Sequence, residues 1–352
     1  MARKPVMHRD IVVVGASAGG VEALTRLVAQ LPEDFPAAVL VVLHLSAGHR
    51  SLLPEILSRA GPLPAIHPKP ETELEPGRIY VAPTDRHLLV EPGRVLVNSG
   101  PRENGHRPAV DPLFRSAARA YGPRVIGVVL TGALDCGTSG LMAVKAQGGL
   151  AIVQDPEDAY CPDMPRNALE YVKVDHKVKL AELGALLVRL VSAPLPPHEV
   201  PKPSLRLEEE VTAMREVRGI HTNPRDTGSP SLFSCPDCGG VLFEMDEEGL
   251  LRYRCRVGHG FTAKALSVTQ QAAMDGALWA ALRALEESAA LSRRMAARAR
   301  ERTHDHSARR YEERARATEE QAELVRQMVM HNTTRPPPEE LPEEEGPKLM
   351  DV

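Results

Sequence analysis

Residues Gly15-Ala16-Ser17-Ala18-Gly19 fit the pattern G-x-S-x-G. They stand between an apolar run at 11–14 and a helical pattern with apolar residues at 21, 24, 27, 28 and 31. A tight strand-to-helix turn strains its central residue and holds the hydroxyl above the carboxyl ends of the strands. Small neighbours let backbone N–H groups approach an oxyanion, so the chemistry on offer is that of a nucleophilic serine. A phosphate-binding turn of a dinucleotide fold also needs glycines here, but Ser17 replaces the middle glycine of G-x-G-x-x-G. The next apolar run, 38–43, leads into His44, where a ribose-binding fold would place Asp or Glu. A serine at one strand end and a histidine at the next suit a nucleophile and its general base. The N–H of Ala18, directly after the nucleophile, is the expected oxyanion donor, with a second from Gly132–Leu134, centred on Ala133.

A third group must orient the imidazole and stabilise its protonated form. Its candidate segment runs from Leu130 to Gly137, a strand end entering a Gly-punctuated loop that carries Asp135 and Cys136. The chain order Ser, His, Asp differs from the Ser, Asp, His order of α/β-hydrolases.

The elements that must position these residues follow from patterning. Runs such as Ile-Val-Val-Val at 11–14 and Ala-Val-Leu-Val-Val-Leu at 38–43 are what strands covered on both faces look like. Further strands are expected at 79–82, 125–130 and 150–154, with a hairpin of 88–91 and 95–97 around Glu91-Pro92-Gly93-Arg94. Helical patterns fall at 51–60, 110–121, 139–147 and 179–191. The alternation predicts an α/β domain over 1–191, a doubly wound and mostly parallel sheet with an antiparallel appendage. Residues 192–231 form a Pro-rich linker holding one short helix at 205–217, followed by a Cys/His unit at 232–263. Two helical stretches over 264–331, broken at Thr303-His304-Asp305-His306, predict an antiparallel hairpin. The Pro- and Glu-rich end, 332–352, is expected to be disordered.

Cys235 and Cys238 form a C-x₂-C knuckle followed by glycines; Cys255 and His259 form a C-x₃-H pair with its own Gly258. Two pairs of soft ligands flanking hairpin strands at 240–244 and 250–254 describe a structural zinc ribbon. Four protein ligands close the coordination sphere, so this zinc would hold structure rather than catalyse, and no cofactor is expected in the catalytic step.

Of 352 residues, 43% are hydrophobic but only 3% aromatic, so the core must be built from Val, Leu, Ile and Ala. A net charge of −4 lacks the basic footprint that nucleic acid requires. No apolar run is long enough to span a bilayer, and the thiols cluster as ligands, so a cytoplasmic protein is expected. Interleaved Arg and Glu on the C-terminal helices read as a solvated face; their apolar stripe would serve self-association or a partner helix.

Six segments together resemble the chemotaxis protein-glutamate methylesterases, in the CheB-type catalytic domain, over about residues 10–191. They are VVVGASAGGVEAL at 12–24, VVLHLSAGHRSLLPEIL at 41–57, GRIYVAPTDRHLLV at 77–90, HRPAVDPLFRSAA at 106–118, GVVLTGALDCGTSGL at 127–141 and GGLAIVQDPEDAYCPDMPRNAL at 148–169. The resemblance implies that Ser17 attacks the methyl ester of a receptor glutamate, that His44 takes its proton, and that receptor glutamines can also be deamidated. A methylated chemoreceptor or similar signalling protein is the implied partner. The family pattern places its catalytic Asp immediately before Gly137, where this chain has Cys136. Three arrangements accommodate this: Asp135 swings in, Cys136 orients His44 poorly in a slow esterase, or the domain binds without turnover. His106-Arg107-Pro108 with Asp111, and Met164-Pro165-Arg166, resemble cleft segments of the family and equally suit structural roles. His49, His67 and His87 read as surface residues, and Cys161 as a bystander. The family commonly has a phospho-receiver domain ahead of the esterase; none is expected here, which leaves control to the C-terminal half or to another protein.

Overall fold

The computed structural model describes residues 7–44, 51–195, 201–217 and 228–333. His49, parts of the Pro-rich linker and residues 334–352 of the acidic end lie outside them. The N-terminal half alternates strands and helices: β1 (Ile11–Ala16), α1 (Gly20–Val28), β2 (Ala38–Leu43), α2 (Leu53–Ala60), β3 (Ala65–Ile66), β4 (Ile79–Val81), β5 (His87–Glu91) and β6 (Arg94–Asn98). It continues with α3 (Val110–Tyr121), β7 (Val125–Val129), α4 (Thr138–Ala146), β8 (Leu150–Gln154), α5 (Asp163–Tyr171), β9 (His176–Val178) and α6 (Leu180–Ser192).

Among the described residues, seven strands form one parallel sheet in the order β3-β4-β2-β1-β7-β8-β9. Strand alternation sends Ile11, Val13, Leu40 and Val129 to one face, against Leu113, Phe114 and Leu141. Val12, Val14, Val41 and Val128 go to the other, against Leu24, Leu27, Leu57 and Leu183. Both faces are covered, which is why these strands read as unbroken apolar runs. The chain order reverses between β1 and β7, and the loops at that switch point carry the site. The expected hairpin is β5–β6, paired antiparallel from His87↔Asn98 to Glu91↔Arg94.

Among the strands and α-helices of this half, three escaped the pattern reading. Strands β3 and β9 are two and three residues long, too short for periodicity to register. Helix α5 begins at Asp163, just before the Met-Pro-Arg segment; Pro165 lies in its first turn, where a missing N–H breaks no helical bond.

The C-terminal half begins with α7 (Leu205–Glu216), followed by β10 (Ser229–Ser234), β11 (Val241–Glu247), β12 (Leu250–Cys255) and β13 (Gly260–Thr262). These strands make an antiparallel sheet in chain order, and Glu248 (φ 51°) with Gly249 (φ 91°) turns β11 into β12. The sheet has a small apolar core of Leu242, Tyr253, Phe261 and Leu266 beside Cys235 and Cys255.

Among the described residues, those up to Val268, this sheet included, form one compact unit. A buried ionic cluster joins the parts. Arg115 of α3 pairs with Glu103 and with Glu210 of α7 (3.1 Å), and Arg252 of β12 reaches Glu210 (3.2 Å) and Glu103 (3.3 Å). Burial pushes the Glu103 carboxyl up, but the guanidinium groups of Arg115, Arg254 and Arg252 win and hold it down to about 2. Breaking one partner out of such a buried cluster costs about 3–5 kcal/mol, because the remaining charge is left uncompensated.

Helices α8 (Ala263–Glu301) and α9 (Asp305–Thr333) meet at Thr303, whose φ is 58°. Among the described residues, those from Thr269 onward form the second unit. Within it the helices fold back antiparallel, with ion pairs Arg293–Glu319 (2.6 Å) and Arg326–Glu286 (2.7 Å). The buried seam is Leu282, Ala289 and Ala296 against Ala308, Ala315, Ala322 and Val329, spaced by seven, while Met274 and Met295 are exposed. Among the described residues no helix is long and apolar enough to cross a membrane.

Candidate active site

Ser17 follows β1 and His44 follows β2, and the register pairs Ala16 with Leu43, so the two are neighbours at one sheet edge. The His44 N–H donates to the Ala16 carbonyl (3.2 Å), and the Ser17 N–H donates to the Thr131 carbonyl beyond β7 (3.0 Å). Gly19, at φ 75°, caps the start of α1 in the left-handed region that glycine tolerates. Gly132 must also be glycine: a Cβ there would lie 2.8 Å from the Ser17 Cβ and 2.1 Å from the Met164 sulfur. Met164 of the Met-Pro-Arg segment therefore walls the serine.

Ala18 and Ala133 are both exposed, and among the described residues no partner takes the N–H of either. The Gly132 N–H, by contrast, donates to the Cys161 carbonyl (2.9 Å). Of the second-donor candidates, Ala133 rather than Gly132 has a backbone N–H to offer.

His44 is partly exposed, but both its ring nitrogens are buried, and neither has a hydrogen-bond partner among the described residues, Ser17 included. Its ring stacks on that of His106, with centroids 3.9 Å apart and planes 12° from parallel. Burial, and then the neighbouring His106, push the His44 imidazole well below its usual 6.5. The imidazole is thus neutral at neutral pH.

The third position is occupied otherwise than in a triad. The Asp135 carboxylate accepts from the Thr262 hydroxyl of β13 (2.8 Å), not from His44. Burial pushes its carboxyl up to about 6, against the Thr262 hydrogen bond, which favours the anion. Cys136 is buried and its sulfur accepts from the Val110 N–H (3.4 Å). Burial pushes that thiol well above its usual range, so it offers His44 no negative charge.

Asp111 serves the loop. Its carboxylate accepts from the N–H groups of Gly137 (3.0 Å) and Gly140 (2.7 Å), fixing the start of α4, and from the Asn104 side chain (3.2 Å). Arg107 pairs with Asp85 (2.8 Å) and donates to the Gly100 carbonyl (2.9 Å), a structural role. Two histidines expected on the surface are not there. His87 is buried with Nε2 on the Pro101 carbonyl (2.9 Å), and burial lowers it to about 4. His67 is half-buried between the carbonyls of Val81 (3.0 Å) and Ser51 (3.3 Å). Each ring sits on strand-flanking backbone that needed a partner, which patterning alone does not reveal.

The second cluster is Cys235, Cys238, Cys255 and His259, whose candidate ligand atoms all lie within 4.8 Å of one another. Cys238 and Cys255 sulfurs are 3.7 Å apart; the His259 Nδ1 is 3.7 Å from Cys235 and 3.5 Å from Cys255. A tetrahedron with zinc bonds of about 2.3 Å to sulfur and 2.0–2.1 Å to nitrogen has edges of about 3.8 and 3.6 Å. The donors present therefore fit a zinc-sized ion, and turns such as Gly239 N–H to Cys235 carbonyl (2.8 Å) shape the knuckle.

Known proteins bear on this geometry. The family model of the CheB methylesterase matches residues 12–187. A protein-glutamate methylesterase/protein-glutamine glutaminase of Leptospira interrogans is 37% identical over 185 residues, covering 52% of this chain and 96% of that protein. The protein-glutamate methylesterase FrzG of Myxococcus xanthus is 35% identical over 189 residues, covering 53% of this chain and 57% of that protein. The crystal structure of the Thermotoga maritima CheB methylesterase catalytic domain is similar at a TM-score of 0.50 and 33% identity, covering 53% of this chain and all of that one. The matched half is the parallel-sheet domain, and β10–β13, α8 and α9 lie beyond it. With the serine turn, the adjacent histidine and the sheet order all in place, this chain belongs to the CheB methylesterase family, whose members are carboxylic ester hydrolases.

Proposed function

We propose that the chain hydrolyses glutamyl methyl esters on chemoreceptor-like signalling proteins, and deamidates glutamine at the same site. The observation that carries this is the pair Ser17 and His44 at the ends of the adjacent strands β1 and β2, beside the switch point. Ser17 Oγ attacks the ester carbonyl while His44 takes its proton. The N–H groups of Ala18 and Ala133 receive the developing oxyanion. The histidine returns the proton to the departing methanol, and water, deprotonated in turn by His44, releases the glutamate from Ser17. Substrate binding must close the Ser17–His44 contact, as apo sites often leave catalytic hydrogen bonds long. The test is methanol release from a methyl-esterified receptor peptide by wild type and Ser17→Ala.

A second reading is favoured by one observation: among the described residues, no carboxylate bonds to His44. On it, the domain holds a modified helix with little turnover, and the C-terminal half recruits a signalling partner or a second copy.

The Cys/His cluster is read as a structural zinc site holding β10–β13, since its apolar core is small. Free thiols gathered as ligands suit a reducing compartment such as the cytoplasm, which is the localisation this reading carries. Purified protein is expected to carry near-stoichiometric zinc by elemental analysis, and Cys235→Ser to lose it together with cooperative melting of this sheet. A metal-free chain with an unchanged melting curve would remove the zinc reading.

A further inference from the structure

With no carboxylate on its ring, His44 needs another means of holding its plane. The stack on His106, 3.9 Å away and 12° from parallel, is the contact that fixes it. His106 comes from a tight turn in which Glu103 N–H donates to the His106 carbonyl (3.2 Å) and His106 N–H to the Glu103 carbonyl (3.0 Å). Asn104 (φ 53°) and Gly105 (φ 75°) are its corner. On the esterase side the turn is held by the Asn104 side chain, which donates to Asp111 of α3 (3.2 Å), and by Glu103, paired with Arg115. Its other partners are in β13: the Asn104 N–H donates to the Gly260 carbonyl (2.8 Å), and the Thr262 N–H to the Asn104 side-chain oxygen (2.9 Å). Gly260 N–H donates to the Arg102 carbonyl (3.2 Å), and the Glu103 carboxylate is locked by Arg115, Arg252 and Arg254.

We propose that His106 is a positioning residue for His44, and that the C-terminal sheet, through Gly260 and Thr262, holds the turn that places it. The inference rests on Ser17 and His44 being nucleophile and base. In this chain the work usually done by a triad carboxylate, fixing the imidazole plane, is done by a stacked imidazole. The second half of the molecule is then part of the esterase site and not an appendage. The family match ends before β13 begins, so the hold of Gly260 and Thr262 on the turn belongs to the extension, while His106 itself lies in the matched half. The charged group facing His106 is Arg102, which together with burial keeps that ring neutral, so the pair does not carry two positive charges when His44 accepts the serine proton.

The test is the second-order rate at which a fluorophosphonate labels Ser17 in the full chain, measured across pH, with thermal melting as the check on folding. His106→Ala is expected to slow labelling about 10- to 100-fold, the scale of a misplaced catalytic group. His106→Phe, which keeps a flat ring, is expected to return the rate to within about threefold of wild type, since stacking does not need the imidazole nitrogens. Asn104→Ala, which leaves His44 and His106 intact but frees the turn from Thr262 and from Asp111, is expected to slow labelling while the chain still melts cooperatively. The proposal is overturned if His106→Ala labels at the wild-type rate, or if His106→Phe is folded yet as slow as His106→Ala. Should His106→Ala fold poorly, Asn104→Ala decides: a wild-type rate overturns the proposal and a slower one supports it. A chain that labels normally but releases no methanol sinks the methylesterase reading alone; one that does not label at all sinks both.

Discussion

Cys136→Asp is expected to raise kcat for methyl ester hydrolysis at least tenfold, toward the factor of about 10⁴ that a triad acid supplies. The family resemblance places the acid at this position, immediately before Gly137. In the structure Cys136 is buried beside Asp111, an uncharged thiol accepting only the Val110 N–H. An aspartate there brings a carboxylate to the loop that follows β7, at the switch point shared with Ser17. The companion variant, Asp135→Asn, is expected to leave kcat within about threefold, because the Asp135 carboxylate engages Thr262 and an amide oxygen accepts the same hydrogen bond. If Asp135 were the acid, that substitution would cost about 10⁴. Stability separates the roles as well. The folded-state carboxyl is raised from the usual 3.8 to about 6, so the protonated form's stabilising contribution is complete below 3.8 and lost as pH rises through 6. Asparagine avoids that loss: Asp135→Asn should melt higher than wild type at pH 8 and alike near pH 3.5.

His44→Ala is expected to lower kcat by about 10²–10⁴, the range a positioned general base contributes. Wild type should also show a distinctive pH dependence. Burial and the stacked His106 push the His44 imidazole well below its usual 6.5, and the neutral form is the active one. Activity is therefore retained as pH falls through 6.5 and is lost only at more acid values; a rate profile breaking at 6.5 or above would contradict this placement of His44. The residual rate of His44→Ala should lack that acid limb.

The sheet and its serine turn were legible because both sheet faces are covered. Continuous apolar runs at 11–14 and 38–43 announced strands, and the letters after them announced Ser17 and His44. The metal cluster was legible for a similar reason, since C-x₂-C and C-x₃-H are local spacings. What sequence could not show is long-range. The pairing of Asp135 with Thr262 spans 127 positions, and that of Thr262 with Asn104 spans 158. Arg115, Glu103, Glu210 and Arg252 look like ordinary surface charges in sequence and are all buried together. His106 carried one usable signal: it sits two residues after Asn104, in an Asn-Gly turn that holds its place tightly. Its stack on His44 joins positions far apart in the chain, which no local pattern shows. Met164 was noticed for its motif, but its contact with Gly132 beside the serine needed coordinates.

The central claim is that Ser17 is the nucleophile of a working esterase, and methanol release tests it most directly. The full chain, given a receptor-derived peptide carrying a glutamyl methyl ester, is expected to release methanol catalytically, and Ser17→Ala to fall by at least about 10³ toward the peptide's uncatalysed rate. A wild-type rate equal to that of Ser17→Ala, with Cys136→Asp alone gaining activity, would show that the natural protein is a binding module and not an enzyme.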